Sequence, residues 1–157
     1  MRSESAETVK TFATLRVVGD QLVPEQVTRL FKVLPTRAYA KGQTYYGGKR
    51  TGNLTGKTGV WYFATDRVVA SDNLVDHLMF IVKLLHGYSS ETIPLTKLHN
   101  LIQKRSLTAV VSCFWYGRAG ARPPAVPRAV SEFFKLVPAE MEIDFDTDEE
   151  PGTRRTA

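Results

Sequence analysis

The chain has 157 residues, 24% of them charged, and a net charge of +5, which is ordinary for one soluble domain large enough to bury a core. Its single cysteine, Cys113, excludes an internal disulfide framework and a cysteine-based zinc site. No apolar run approaches the roughly 18 residues of a membrane span, and residues 1–5 lack the apolar stretch of a signal peptide. We therefore expect a cytoplasmic protein with no membrane partner.

The first half of the chain predicts three strands and one helix. Residues 12–18 are β-branched and apolar, which is typical of a strand. A helix is expected to begin at Pro24, because apolar residues recur after it at helical spacing. A second strand is predicted at 37–41 and a third at 60–65. Between them, the glycine-rich residues 42–59 predict a mobile basic loop.

The second half predicts three helices and two strands. Helices are expected before Gly87, from Pro94 onward, and over residues 130–137, each with one apolar stripe. Residues 109–116 are apolar on both faces, which favours a central strand. Residues 140–146 alternate between acidic and apolar side chains, which is typical of a half-exposed strand.

The resulting element order is β-α-β-β-α-α-β-α-β. It predicts an α+β domain with two layers, in which helices cover one face of a mostly antiparallel five-stranded sheet. A ferredoxin-like arrangement, or a variant of it, fits this order. We expect a loose N-terminus over residues 1–9, a single domain over 10–146 and a disordered tail over 147–157.

One segment is strongly basic. No Asp or Glu lies between Gln26 and Thr65, whereas seven Lys and Arg residues do. Tyrosines lie among these cations, and aromatic rings mixed with cations are typical of single-stranded nucleic acid binding. The alternative is that the cations form a solvated face or lie across from acidic residues. The candidate anion or partner surface comprises Arg37, Lys41, Tyr45, Tyr46, Lys49, Arg50 and Lys57.

The segment near the C-terminus has the opposite charge. Glu142, Asp144 and Asp146 occupy alternate positions of the last predicted strand and form a candidate edge-strand surface. An acidic edge can bind a partner, although acidic side chains also discourage indiscriminate strand pairing. Charge sorted in this way can also attract a second copy of the chain, so a homodimer stays open.

The sequence shows no catalytic constellation, and we assign no catalytic residue, metal or cofactor. Residues 52–58 resemble a phosphate-binding loop, but they have too few residues between the glycines and precede a strand instead of a helix. Cys113 lies in an apolar strand, where a buried structural role is expected. His77, His86 and His99 lack metal-ligand spacing, and we expect them at the surface or at a boundary.

Short motifs along the chain carry a resemblance to a known family. The motifs are Gly19-Asp20, Pro24-Glu25, Pro35-Thr36, Gly59-Val60-Trp61, His77-Leu78, Phe114-Trp115 and Met141-Glu142-Ile143-Asp144. Through them the chain resembles the bacterial family of small proteins filed as "domain of unknown function 4279" over residues 12–146.

This resemblance implies an intracellular α+β domain that usually stands alone, and it supplies no activity, cofactor or catalytic residue. Some relatives resemble immunity-type proteins that neutralise a toxin. No catalytic constellation is visible, while the charged loop and the acidic edge strand both offer partner surfaces. Our leading hypothesis is for this reason a non-enzymatic module that binds another protein in a regulatory or immunity-like role. The alternative is nucleic acid binding through residues 37–57. A third hypothesis is a hydrolase or transferase whose residues converge only in the fold.

Overall fold

The computed structural model describes residues 7–46, 53–87, 93–137 and 139–148. Within these ranges the chain forms seven strands and four helices, with a short 3-10 turn at Thr65–Arg67. In chain order they are β1 (Thr8–Gly19), α1 (Pro24–Phe31), β2 (Arg37–Tyr39), β3 (Thr44–Tyr46), β4 (Asn53–Thr55), β5 (Gly59–Ala64), α2 (Leu74–His86), α3 (Ile93–Arg105), β6 (Thr108–Gly117), α4 (Arg128–Leu136) and β7 (Ala139–Thr147).

Five of the strands form one sheet in the order β2-β5-β1-β6-β7. The α+β class and the five-stranded sheet are confirmed. The prediction of a mostly antiparallel sheet was wrong, because the sheet is mixed. Strand β7 runs parallel to β6, whereas the other neighbours are antiparallel. The connection from β6 to β7 contains α4, and such a crossover returns the chain to the end where β6 began. The ferredoxin-like arrangement is not confirmed by this strand order.

The region predicted as a loop, residues 42–59, contains β3 and β4, which pair as a separate two-stranded sheet. The backbone of Gly42 has a positive φ of 80°, a conformation that glycine adopts at little cost. Its N–H donates to the Gly56 carbonyl at 2.9 Å. This hydrogen bond joins the chain just before β3 to the chain just after β4. Residues 47–52 of the predicted loop lie outside the described residues. Strand β1 begins at Thr8, two residues before the predicted domain start.

Two of the helices begin at recognisable signals. Helix α1 starts at Pro24, where the missing N–H and fixed φ of proline suit a first turn. Helix α2 is capped by Asn73, whose side-chain oxygen accepts from the Val75 N–H at 3.0 Å. Ser71 and Asp72 also precede this helix and are residue types that commonly cap one. Ser71 instead accepts from the Asn73 N–H through its hydroxyl oxygen, at 3.1 Å.

The hydrophobic core lies between the helices and one face of the sheet. Alternate residues of the three central strands point into it, since successive side chains of a strand face opposite sides. Leu15 of β1, Trp61 of β5 and Val111 of β6 are almost completely buried there. Leu78 and Ile81 of α2 complete the same cluster. The predicted apolar stripes therefore meet on this helix-covered face.

The other face of the sheet, here called the open face, carries the remaining alternate residues. No described helix contributes to it, and its side chains form stacked and ion-paired contacts with one another. Phe12 of β1 and Phe114 of β6 stack at a centroid distance of 4.7 Å. Lys10 lies over the Phe12 ring at 5.3 Å. Among the described residues, no helix is long and apolar enough to cross a membrane.

Candidate functional site

The basic and acidic segments lie at opposite edges of the sheet. Strand β2 carries Arg37 at one edge, and β7 carries Glu142, Asp144 and Asp146 at the other, with three strands between them. Four strand spacings of about 4.8 Å place these edges roughly 19 Å apart. The described parts of the two segments therefore do not pair within the fold.

The acidic edge is long and accessible. Strand β7 has nine residues, and within the described residues it pairs only with β6. The carboxylates of Glu142, Asp144 and Asp146 lie in register with Ser112, Phe114 and Tyr116 on the open face. Ile143 points to the opposite side of the strand, and 61% of its surface is exposed. The unpaired backbone edge is thus flanked by acid on one side and apolar surface on the other.

Glu142 is the β7 carboxylate with the most neighbours. Its Oε2 accepts from the Ser112 hydroxyl at 3.1 Å, and its Oε1 lies 3.9 Å from Arg16 Nη2 on β1. Asp144 and Asp146 form no ion pair with any described residue. Beyond them, Tyr116 donates to the carboxylate of Asp148, and this hydrogen bond raises the pKa of Tyr116. Two carboxylates of the edge-strand surface therefore remain available to a cationic partner.

The basic edge is partly engaged by the fold itself. Lys41 Nζ lies 3.1 Å from Asp20 Oδ2, and hydrogen bonds from Thr58 and Lys41 hold the pKa of Asp20 below its usual value. Arg37 and Lys57 are exposed. Lys49 and Arg50 lie outside the described residues. The described cations of the predicted surface are therefore Arg37, Lys41 and Lys57, and Lys41 already forms an ion pair with Asp20.

Tyr45 of this surface faces Tyr39, a neighbouring tyrosine of the basic segment. Tyr39 and Tyr45 stack with their ring centroids 4.0 Å apart and their planes within 3°. Burial raises the pKa of Tyr39, and the neighbouring Tyr45 contributes further. Tyr46 lies in β3 and pairs with Asn53, but its side chain lies outside the described residues. One face of each stacked ring is therefore occupied by the other ring and is unavailable to a nucleic acid base.

Comparison with protein families identifies the chain. The model described as "Domain of unknown function (DUF4279)" matches residues 7–148. The chain belongs to this family. The match covers every strand and helix of the DUF4279 domain described above, from β1 to β7. No curated protein and no solved structure gives a significant match.

The DUF4279 domain contains a buried polar network that sequence reasoning missed. His77 was predicted at the surface or at a boundary, which was wrong, because it is only 1% exposed. Its Nε2 lies 2.7 Å from the Ser71 carbonyl, and its Nδ1 lies 2.6 Å from Thr65 Oγ1. The available signal was its position on the apolar stripe of α2, three residues after Leu74 and four before Ile81.

The partners of this network assign its protons. A carbonyl only accepts, so Nε2 of His77 carries a hydrogen and donates to it. In the tautomer with that one ring hydrogen, Nδ1 accepts from the Thr65 hydroxyl. Thr65 Oγ1 in turn accepts from the Ala13 N–H at 2.9 Å. The network therefore ties α2 to the central strand β1. Thr65 is 0% exposed, so this hydroxyl–imidazole pair is out of reach of a substrate and has a structural role.

Cys113 is equally inaccessible in the DUF4279 domain. The prediction of a buried cysteine is confirmed, and burial raises the pKa of its thiol to about 11. The thiolate, not the thiol, is the nucleophile of cysteine chemistry, so this residue is a poor candidate for catalysis. Over the described ranges, no group of three or more His, Cys, Asp or Glu residues is arranged to hold a metal ion.

Proposed function

We propose that this DUF4279 chain is a non-enzymatic module that binds a basic, extended segment of another protein along β7. The observation that carries the proposal is the edge strand itself. It presents nine residues of backbone, exposed carboxylates on the open face, and Ile143 with 61% of its surface exposed on the other face. The other edge strand, β2, has only three residues.

Strand addition uses these features together. An incoming strand completes the unpaired N–H and C=O groups of β7, and its alternate side chains face the two sides of the sheet. Side chains on one face repeat about every 7 Å along a strand. Lys or Arg at alternate positions would then meet Asp144 and Asp146, while apolar residues between them would extend the surface around Ile143. We therefore expect a partner with alternating basic and apolar residues.

The same carboxylates have a simpler role in many proteins. Charged side chains on an edge strand prevent indiscriminate pairing between sheets. Such protection repels acidic strands, and it disfavours neutral ones because pairing would remove water from unpaired carboxylates. It requires no affinity for a basic strand. Specific binding differs because it requires affinity for the basic strand and a defined register. The measurement must therefore compare peptides of opposite charge.

We would measure binding of two fluorescent strand peptides that differ only in carrying Lys or Glu at their alternate polar positions. The expected result is that the Lys peptide binds and slows amide hydrogen exchange along β7, whereas the Glu peptide does neither. The variant Asp144→Lys with Asp146→Lys should lose the Lys peptide. The control variant Asp66→Lys with Asp72→Lys changes the net charge equally at exposed sites outside β7 and should retain binding.

Equal loss of binding in both variants would show that net charge, not the edge strand, attracts the peptide, and would contradict the proposal. Protection of amides elsewhere than β7 would contradict it as well. A concentration-dependent dimer that disappears in the Asp144→Lys, Asp146→Lys variant would make a second copy of the chain the partner. Capture from native lysate, with and without nuclease and with both variants, would then identify the physiological protein.

Nucleic acid binding through residues 37–57 is the second candidate. The stacked Tyr39 and Tyr45 rings lie in the same segment as the exposed Arg37 and Lys57, and each ring has one face turned away from its partner. Affinity for a labelled single-stranded oligonucleotide should fall steeply with salt and should weaken in the Arg37→Gln, Lys57→Gln variant. Binding that is unchanged between low and moderate salt would exclude this function.

The proposed place of action is the bacterial cytoplasm. The single cysteine is buried and free, so the fold does not depend on an oxidising compartment, and this supports the proposed location. A regulatory or immunity-like role follows if the captured partner is inhibited on binding. An activity assay of that partner, with and without the Asp144→Lys, Asp146→Lys variant, would test this role directly.

A further inference from the structure

A cavity of about 440 Å³ lies among α1, α2 and α3, away from both charged sheet edges. Its size falls within the range of roughly 300–1,000 Å³ that is usual for small-molecule sites. The lining residues come from the C-terminal ends of α1 and α2 and the N-terminal end of α3. They are Leu30, Phe31, Lys32, Val33, Phe80, Lys83, Leu84, Gly87, Pro94 and Lys97.

The apolar part of the lining is continuous with the core. Phe31 is buried and packs against Trp61 with ring centroids 5.6 Å apart. Phe80 stacks on Phe63 at 5.7 Å. Leu30 and Leu84 pack on the same core while remaining partly exposed. The cavity floor is therefore held in place by the sheet and offers apolar surface that is incompletely covered.

Every charged residue in the described lining is a lysine. Lys32, Lys83 and Lys97 are exposed, and no acidic residue is among the described residues that line the cavity. None of the three forms an ion pair with any residue that the structure describes. Lys32 and Lys83 lie at helix C-termini, where the helix dipole favours a cation, but Lys97 lies near the N-terminal end of α3, where the dipole disfavours one. Helix dipoles therefore do not explain why all three lysines line the cavity.

An adjoining cleft extends this cavity between α1 and α3. It shares Leu30 and Lys97 with the cavity and adds Gln26, Arg29 and Leu101. The side-chain oxygen of Gln26 is buried and has no hydrogen-bond partner among the described residues. A carboxylate has no hydrogen to donate to this acceptor, so Gln26 does not contribute to the anion site.

We propose that this cavity binds a free amphipathic carboxylate, such as a medium-chain fatty acid. The acyl chain would cover the apolar floor, and the carboxylate would lie among Lys32, Lys83 and Lys97. The volume fits a single small molecule, and the positive charge of the three lysines favours an anion. This site is independent of the protein-binding edge at β7.

The probe is decanoate, kept below its micelle threshold and followed by calorimetry and by amide chemical shifts. We expect decanoate to bind and to shift the amides of Gly87 and Lys97, decanol to bind more weakly, and acetate not to bind. The variant Lys32→Gln, Lys83→Gln, Lys97→Gln should weaken decanoate binding about tenfold. The control Lys104→Gln, Lys135→Gln removes exposed lysines elsewhere and should leave the affinity unchanged.

Several results would overturn the proposal. They are an absence of decanoate binding, equal affinity for decanol and decanoate, equal affinity of the triple variant and wild type, and shifts confined to amides far from the cavity. Co-sedimentation with phosphatidylglycerol vesicles that depends on the three lysines, without decanoate binding, would assign the surface to a membrane and exclude a free ligand.

Discussion

Arg16 on the central strand β1 and Glu142 on the edge strand β7 approach to 3.9 Å across the intervening strand β6. The pair lies on the open face, where Ser112 of β6 also donates to Glu142. One carboxylate of the acidic edge is thereby tied to the middle of the sheet. Asp144 and Asp146, further along β7, have no such cation among the described residues. Glu142 is therefore held by the rest of the sheet, whereas Asp144 and Asp146 are the carboxylates that we propose for binding.

The Arg16–Glu142 pair should contribute little to stability. Its side chains are 41% and 56% exposed, and exposed ion pairs are screened by solvent. In a double-mutant cycle of Arg16→Ala and Glu142→Ala, we expect a coupling free energy of about 0.5 kcal/mol or less. Urea unfolding of the four proteins measures it. A coupling above about 1.5 kcal/mol would mean that the pair is shielded more than its exposure indicates.

The Thr65–His77 network should contribute far more to the free energy of unfolding than the Arg16–Glu142 pair does. Thr65→Val leaves the Ala13 N–H and His77 Nδ1 without partners in the core, so we expect a loss of about 1–3 kcal/mol in the free energy of unfolding. His77→Leu should cost a similar amount, and the double variant should cost less than the sum because both changes disrupt one network. Thr108→Val, at an exposed strand position, is the control and should stay within about 0.5 kcal/mol.

Additive losses in that series would show that the two residues act independently. The hydrogen on Nε2 can be checked separately by nitrogen chemical shifts of the His77 imidazole. A hydrogen on Nδ1 would contradict the assignment made from the Ser71 carbonyl.

The buried thiol of Cys113 should lower the stability of the folded protein in alkaline solution. Burial raises the pKa of its thiol from 9.0 to about 11, so the unfolded chain releases this proton at lower pH than the folded chain. Stability therefore falls as the pH rises from the unfolded value toward the folded one, by at most about 1.4 kcal/mol per pH unit. Below the unfolded pKa both states hold the proton, and the residue contributes no pH dependence.

Urea unfolding of wild type and Cys113→Ala at about pH 8 and about pH 10.5 isolates this effect. Alanine leaves a small cavity at both pH values, and the tyrosines titrate in both proteins. Only the wild type should show the additional alkaline loss. An equal loss in the free energy of unfolding between the two pH values in both proteins would mean that the thiol is in contact with solvent.

The packing around Gly59, at the start of β5, leaves no room for a side chain. A Cβ there would lie 2.7 Å from the Gly19 carbonyl oxygen and 2.7 Å from Leu22 Cβ, so Gly59→Ala should cost about 1–3 kcal/mol. Gly19→Ala is the comparison, because its closest contact is the end of the Leu107 side chain at 2.6 Å. That side chain can move, so the loss should be smaller. Thermal unfolding of both variants tests the order.

Several features of this protein could be predicted from the sequence because they depend on neighbouring residues. The apolar spacing after Pro24 predicts α1, and the apolar run at 109–116 predicts a buried central strand that the structure confirms as β6. Proline and glycine mark the ends of elements through their backbone geometry. The five strands of the main sheet and the four helices therefore followed from local physics, as did the burial of Cys113.

Only the tertiary structure decided how these elements meet. The strand order, the parallel pairing of β7 and the separation of the charged segments depend on contacts between residues far apart in the chain. The acidic and basic segments have opposite charges that could attract each other, yet the sheet places their described strands, β7 and β2, at opposite edges. His77 is buried because Thr65 and Ser71 satisfy both of its ring nitrogens. The lysine-lined cavity exists because three helices converge, since side chains from separate elements share a surface only after the core has packed.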